Sequence, residues 1–217
     1  MAKTVYTYNG KVQKPSVTVK DSTGKRLKAG ADYTVNYPKG RKAVGRYGVQ
    51  VKLKGRYKGS RTVYFTVKPK GTSISKVTGG KKKITVTWKK QTAQTTGYQI
   101  QYSTSSNFKN AKTVTVSKNS TTKKTITGLK NGKKYYVRVR TYKTVKTGRK
   151  STKYYSSWSK SKTTGTAKKS APKGNTVYVS PTGKKYHYIK SCAGKHPIKT
   201  TLKEAKKNHT PCKKCAM

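Results

Sequence analysis

The chain has 217 residues, of which 54 are Lys or Arg and only 3 are Asp or Glu, giving a formal net charge of +51. The three acids, Asp21, Asp32 and Glu204, are scattered, which excludes chemistry that needs two carboxylates facing one bond. With 30% hydrophobic residues the composition is that of a disordered chain, and only the patterning along the chain argues for a fold.

The length suggests two or three small domains. Solubility alone asks for a net charge of only about 2–8 in a small domain, and self-repulsion at +51 opposes compaction. The surplus therefore points to a polyanionic partner: nucleic acid, teichoic acid, acidic glycan or an anionic lipid surface. No stretch approaches the roughly 20 apolar residues of a membrane span. No signal peptide is legible either, since Met1-Ala2-Lys3 leads straight into the first alternating run. An exported chain would then be a mature form with an added start codon.

From residue 5 onward, apolar residues alternate with polar ones in Val17-Thr18-Val19 and Val49-Gln50-Val51-Lys52-Leu53, the period of strands buried on one face. Tyr8-Asn9-Gly10-Lys11, Asp32-Tyr33-Thr34-Val35, Gly45-Arg46-Tyr47, Gly55-Arg56-Tyr57-Lys58-Gly59-Ser60 and Tyr64-Phe65-Thr66-Val67 follow a recognisable order. Residues 1–69 thereby resemble the small immunoglobulin-like domains repeated in Gram-positive bacterial surface proteins. The resemblance implies a β-sandwich and no chemistry.

Residues 72–165 alternate in Ile84-Thr85-Val86-Thr87-Trp88, Tyr98-Gln99-Ile100-Gln101-Tyr102 and Tyr135-Tyr136-Val137-Arg138-Val139, with Leu129 six residues before Tyr135. This segment resembles a fibronectin type III domain: a core Trp on strand B, a Tyr on strand C and a tyrosine corner opening strand F. Ser103-Thr104-Ser105-Ser106-Asn107-Phe108 and Tyr155-Ser156-Ser157-Trp158-Ser159 resemble the version found in the same bacterial surface proteins. The resemblance makes Trp88 and Tyr135 core residues.

Lys143, Lys146, Arg149, Lys150 and Lys153 fall between the last two strands, in a loop that protrudes in fibronectin-like domains, and are candidate polyanion contacts. Arg138 and Arg140 share the outer face of their strand, opposite Val137 and Val139, and join the same candidate set. Trp158 either stacks between their guanidinium groups or lies in the core beside a solvent-exposed Arg pair.

Residues 166–174 have linker composition. Residues 175–217 differ in kind, holding all 3 Cys and all 3 His. His187, Cys192 and the Cys212-Lys213-Lys214-Cys215 knuckle provide four candidate metal ligands. Thr201 with Glu204 three residues on is a capping-box pattern, predicting a short helix from Leu202. Two other readings of the cysteines stay open: a disulfide with a leftover thiol, and three unrelated thiols. His196 and His209 lie outside the pattern, although His209 could stand in for His187.

This segment resembles small C-terminal modules of Gram-positive extracytoplasmic proteins, some secreted nucleases among them. It is more loosely similar to the metal-binding domain of the Ada DNA-repair protein. That domain uses four cysteines, whereas His187 takes one position here, so a methyl-accepting role does not carry over. Four protein ligands imply a closed, structural zinc rather than a catalytic one, which keeps an open position.

The expected fold class is mostly β: two tandem immunoglobulin-like and fibronectin-type sandwiches plus a small zinc-stabilised α+β C-terminal module. No phosphate loop, His-Glu-x-x-His helix or nucleophile elbow is present, so no enzyme is expected. The expected function is a non-catalytic secreted or cell-surface binding or adhesion protein that associates electrostatically with a polyanion. The alternative is a nucleic-acid-binding protein acting through phosphate-backbone contacts without sequence specificity. The 17 Tyr make base stacking possible, but most occupy strand positions where packing is their expected role.

Overall fold

The computed structural model describes residues 1–166 and 176–215; from residue 167 on, the expected linker lies outside these described residues. The described backbone divides into two compact units. One comprises residues 1–78, 85–125 and 135–164; the other comprises 79–84, 126–134 and the described residues from 165 onward. Strands dominate throughout.

The first sheet contains β1 (Val5–Thr7), β2 (Tyr33–Asn36), β3 (Gly45–Leu53) and β4 (Ser60–Lys68) in the order β1-β4-β3-β2. β3 pairs antiparallel with β4 and with β2, while β1 runs parallel to β4. Alternation puts Val49, Phe65 and Val67 on the inner face, where Tyr6, Tyr8, Tyr37 and Tyr47 pack around them. The expected strand at Val17-Thr18-Val19 does not form: the nearest pairing is an isolated bridge, Lys20 to Arg26. Pro15 has no N–H to give a ladder. The tyrosines of the sheet take up the carbonyls instead, Tyr37 Oη donating to Pro15 O at 2.6 Å and Tyr33 Oη to Val17 O at 3.0 Å. Arg41 Nε likewise donates to Gln13 O at 3.0 Å. An irregular segment thus forms the facing layer, held by side chains rather than by a ladder.

The strands that follow are β5 (Ile74–Gly80), β6 (Lys83–Trp88), β7 (Gly97–Ser103), β8 (Lys112–Val116), β9 (Lys123–Ile126), β10 (Lys134–Thr147), β11 (Lys150–Tyr155) and β12 (Lys162–Gly165). They form a three-stranded sheet, β5-β6-β9, and a five-stranded one, β11-β10-β7-β8, in which β12 also pairs with β10. Trp88 of β6 and Tyr98 of β7 meet edge to face, with centroids 5.2 Å apart, and both are almost fully buried. This contact joins the two sheets. Ile84, Val86, Ile100, Val137 and Val139 are buried completely, as their alternation demands. Tyr135 and Leu129 are buried too. Gly97 admits no side chain, because a Cβ there would collide with Val116 O of the neighbouring strand.

The C-terminal sheet contains β13 (Thr176–Val179), β14 (Lys185–His187), β15 (Ile198–Thr201) and β16 (Thr210–Pro211) in the order β15-β13-β14-β16. Helix α1 (Leu202–Asn208) follows β15, and its Ala205 packs with Val177, Val179 and Tyr186. Thr201 caps the helix as expected, its Oγ1 accepting from Glu204 N at 3.2 Å. The Glu204 carboxylate pairs with Lys207 Nζ at 3.0 Å. Among the described residues no helix is long and apolar enough to cross a membrane.

Removing the Trp88 ring takes away the edge-to-face contact between the two middle sheets and leaves a cavity. Trp88→Ala should cost about 3–5 kcal/mol, read as a lower denaturant midpoint for the transition that exposes Tyr98.

Candidate functional site

Four side chains from three local structures converge beside the C-terminal sheet. His187 ends β14, across from Tyr178 of β13. Cys192 closes a 3-10 turn, Lys190–Cys192, with its N–H bonded to Ile189 O at 3.0 Å. Cys212 follows β16 and donates its N–H to Tyr186 O at 3.0 Å, while Cys215 donates to Cys212 O at 3.2 Å, closing the knuckle. The one imidazole nitrogen and three sulfurs lie within 4.8 Å of one another.

The distances discriminate among the readings of the cysteines. All three are free thiols. Cys192 Sγ stands 4.0 Å from Cys212 Sγ, and Cys215 Sγ 3.6 Å from His187 Nδ1. A disulfide would bring two sulfurs to about 2.05 Å. Ligands bound tetrahedrally at about 2.3 Å (sulfur) and 2.1 Å (nitrogen) sit about 3.8 and 3.6 Å apart. The cluster therefore fits a metal ion, which the four residues can hold. His209 is not part of the cluster. It closes the C-terminus of α1, with its N–H on Ala205 O at 2.9 Å and a buried Nδ1 that has no partner among the described residues.

The electrostatics of the cluster are uneven. Burial, then the Cys215 and Cys212 thiols, pushes the Cys192 thiol up to about 11. Burial also opposes ionising Cys212, but the Lys214 backbone N–H, the Cys215 thiol and N–H, and the Cys192 thiol outweigh it and draw that pKa down. Burial and then Lys185 lower His187, favouring the neutral imidazole that a metal requires.

The second assembly is an aromatic–arginine stack on the outer face of the five-stranded sheet. Register pairs Arg138 with Gln101 and Arg140 with Gln99. Arg138 Nε donates to Gln101 Oε1 at 2.7 Å, and Arg140 Nε and Nη2 donate to Gln99 Oε1 at 3.0 and 2.7 Å. Rings alternate with the guanidinium groups: Arg138 Cζ is 4.0 Å from the Phe108 centroid and 4.9 Å from Trp158, and Arg140 Cζ is 4.2 Å from Trp158 and 4.0 Å from Tyr155. Of the two readings of Trp158, stacking is the one that holds. Phe108 reaches Arg138 from a left-handed backbone, φ +60°, unusual for a bulky residue. Sequence reasoning missed Phe108, Gln99, Gln101 and Tyr155. The two glutamines were within reach, because outward positions on paired strands fall opposite the outward arginines.

The five cations of the loop fall on a hairpin. β10 and β11 pair down to Thr147 opposite Lys150, with Gly148 at φ +57° and Arg149 making the turn. Lys146, Arg149, Lys150 and Lys153 are exposed and Lys143 is half-buried. Lys153 lies 5.4 Å above the Tyr142 ring.

A family model for the fibronectin type III domain matches residues 67–157. Residues 67–157 form a fibronectin type III domain. Such domains are typically non-catalytic binding modules, often extracellular. No curated protein matches the chain. Among solved structures, the FN1–FN3 domains of chicken CNTN1 are similar at 23% identity and TM-score 0.40, over 58% of this chain. A two-domain fibronectin type III segment of chicken tenascin is similar at 24% identity and TM-score 0.37, over 57% of this chain. The match spans 44% of the CNTN1 chain and 66% of the tenascin chain.

Cys212→Ser should abolish metal retention and unfold the C-terminal sheet with α1, leaving the Trp88–Tyr98 core intact; metal analysis beside NMR of the two regions reads both. Metal binding must release the thiol protons, so affinity should fall steeply between about pH 8 and about pH 5, as a chelator-competition series would show.

Proposed function

We propose that the chain is a non-catalytic, extracellular or cell-surface binding protein that holds an anionic polymer by distributed electrostatic contact, with its C-terminal sheet fastened by a structural zinc. The observation that carries the first part is the charge imbalance, 54 cations against 3 acids, together with where the acids stand. Asp21 Oδ1 accepts from the Thr23 hydroxyl and the Thr23 and Lys25 N–H groups, Asp32 Oδ2 accepts from Lys28 N, and Glu204 pairs with Lys207. All three serve local turns or the helix, so the exposed lysines and arginines face no internal polyanion. A non-specific nucleic-acid binder remains the second reading, since phosphate and teichoic acid present the same charge.

Within the candidate contacts, the hairpin residues Lys143, Lys146, Arg149, Lys150 and Lys153 support the reading best, being mostly exposed and close to one another. Arg138 and Arg140 are already engaged by Gln101, Gln99 and three rings, and the proposal gives them the lesser share. Zinc is favoured for the four-residue centre because three thiols with one imidazole at tetrahedral spacing are its usual structural ligands. A sheet this small gains most from such a staple.

Binding to duplex DNA, heparin and wall teichoic acid should weaken steeply with salt, each DNA phosphate neutralised adding about −0.9 to the slope of log K against log salt. Replacing the five hairpin cations by Gln should flatten that slope without changing preference among DNA sequences, whereas Arg138→Lys with Arg140→Lys should lower stability more than the slope. Discrimination between unrelated duplexes beyond about tenfold, about 1.4 kcal/mol, would overturn the electrostatic account.

A further inference from the structure

The first sheet is not closed evenly by its irregular facing layer. Along β4, Phe65 and Val67 are almost completely buried while Val63 is only half-buried; along β3, Val51 is buried and Leu53 half-buried. Opposite them, Val17 and Val19 pack on the same core and also stay half-exposed. The reason is local. Residues 17–20 form just the isolated Lys20–Arg26 bridge and the bond from Leu27 N–H to Val19 O, so among the described residues no second strand covers the end of the sheet where β3 finishes and β4 begins.

The result is a cleft of about 450 Å³ whose apolar walls are Met1, Val17, Val19, Val51, Leu53 and Val63. Its rim carries Lys20, Lys58 and Arg61, all exposed. A second hollow of about 410 Å³ adjoins it, sharing Leu53, Lys58, Gly59 and Ser60 and adding Lys52 and Lys54 to its lining. Both volumes lie within the usual range of small-molecule sites, about 300–1,000 Å³. No acid lines either hollow.

We propose that this cleft is a binding site for a single-chain fatty carboxylate, its alkyl tail among the valines and Leu53 and its carboxylate against Lys20, Lys58 and Arg61. An apolar floor excludes an ordinary sugar or nucleotide, which would leave polar groups unpaired against valines. A cationic rim selects an acid head group over an alcohol or an ammonium. The two adjoining hollows suit an elongated guest better than a compact one. This site is saturable and partly apolar, so it is independent of the distributed electrostatic binding proposed above, and either can fail alone.

The test uses the full chain with dodecanoate, followed by isothermal titration and by methyl NMR. In salt high enough to shorten the screening length to about 3 Å, one dodecanoate should bind per chain and shift the methyl signals of Val17, Val19, Leu53 and Val63. Dodecyltrimethylammonium and butyrate should leave those signals in place. Lys20→Gln with Lys58→Gln and Arg61→Gln, all at exposed positions, should weaken binding by about tenfold or more. Lys76→Gln with Lys112→Gln and Lys123→Gln, which removes the same charge elsewhere, should leave it within about twofold. Binding of many dodecanoates per chain, equal losses in the two triple variants, no shift at the cleft methyls, or capture only by phosphatidylglycerol vesicles would each overturn the proposal.

Discussion

The structure is governed by a shortage of carboxylate. With three acids for fifty-four cations, ion pairing cannot organise this chain, and every compact arrangement must work against its own charge. Several arginines that lie against the folded surface are met by neutral partners instead. Gln99 and Gln101 take the inner N–H groups of Arg140 and Arg138, and Phe108, Trp158 and Tyr155 offer ring faces. The same device recurs in the first sheet, where Arg46 lies 4.0 Å from the Tyr64 ring and Arg41 bonds Gln13 O. A ring face costs little to desolvate and adds no acid to compete with an external anion. Cohesion then rests on buried valines, isoleucines and aromatics, and on tyrosine hydroxyls that reach backbone carbonyls.

The C-terminal sheet shows the same constraint in a smaller compass. Among the described residues its buried cluster is Val177, Val179, Tyr186 and Ala205, with Tyr188 and Leu202 at its margin, too little apolar area to hold a segment that also carries many lysines. Cys212 is tied to β14 through Tyr186 O, and His187 stands on that same strand. A metal ion at the four-residue centre would thus clamp the sheet, the 3-10 turn and the knuckle together. Its positive charge would be offset by thiolates that the rest of the chain does not otherwise supply.

Much of this was legible in the residues. Period-two alternation marked β6, β7 and β10 correctly because their inner residues face a genuine core and their outer ones face water. Thr201 and Glu204 located α1, since the cap is a local interaction that no tertiary contact had to confirm. The Cys-x-x-Cys knuckle, with His187 and Cys192 at a distance, announced the metal cluster through ligand chemistry. What escaped depended on contacts distant in sequence. Val17-Thr18-Val19 has the strand period, but Val17 O is taken by the Tyr33 hydroxyl, sixteen residues away, and Val19 O by the Leu27 N–H rather than by a partner strand. Phe108 sits in a turn with a left-handed backbone that no propensity favours, and its reason is the guanidinium of Arg138, thirty residues on. The half-open end of the first core follows from a strand that fails to form, which alternation alone cannot reveal.

Burial holds this fold together against its own electrostatics. The most direct test is the unfolding free energy of the full chain, measured in urea across a sodium chloride series from about 0.01 M to about 0.15 M, over which the screening length shrinks from about 30 Å to about 8 Å. Stability should rise steadily with salt as self-repulsion is screened, although polyanion binding weakens over the same range. Stability that falls as salt is added would mean that net attractive charge interactions, and not burial, hold the fold.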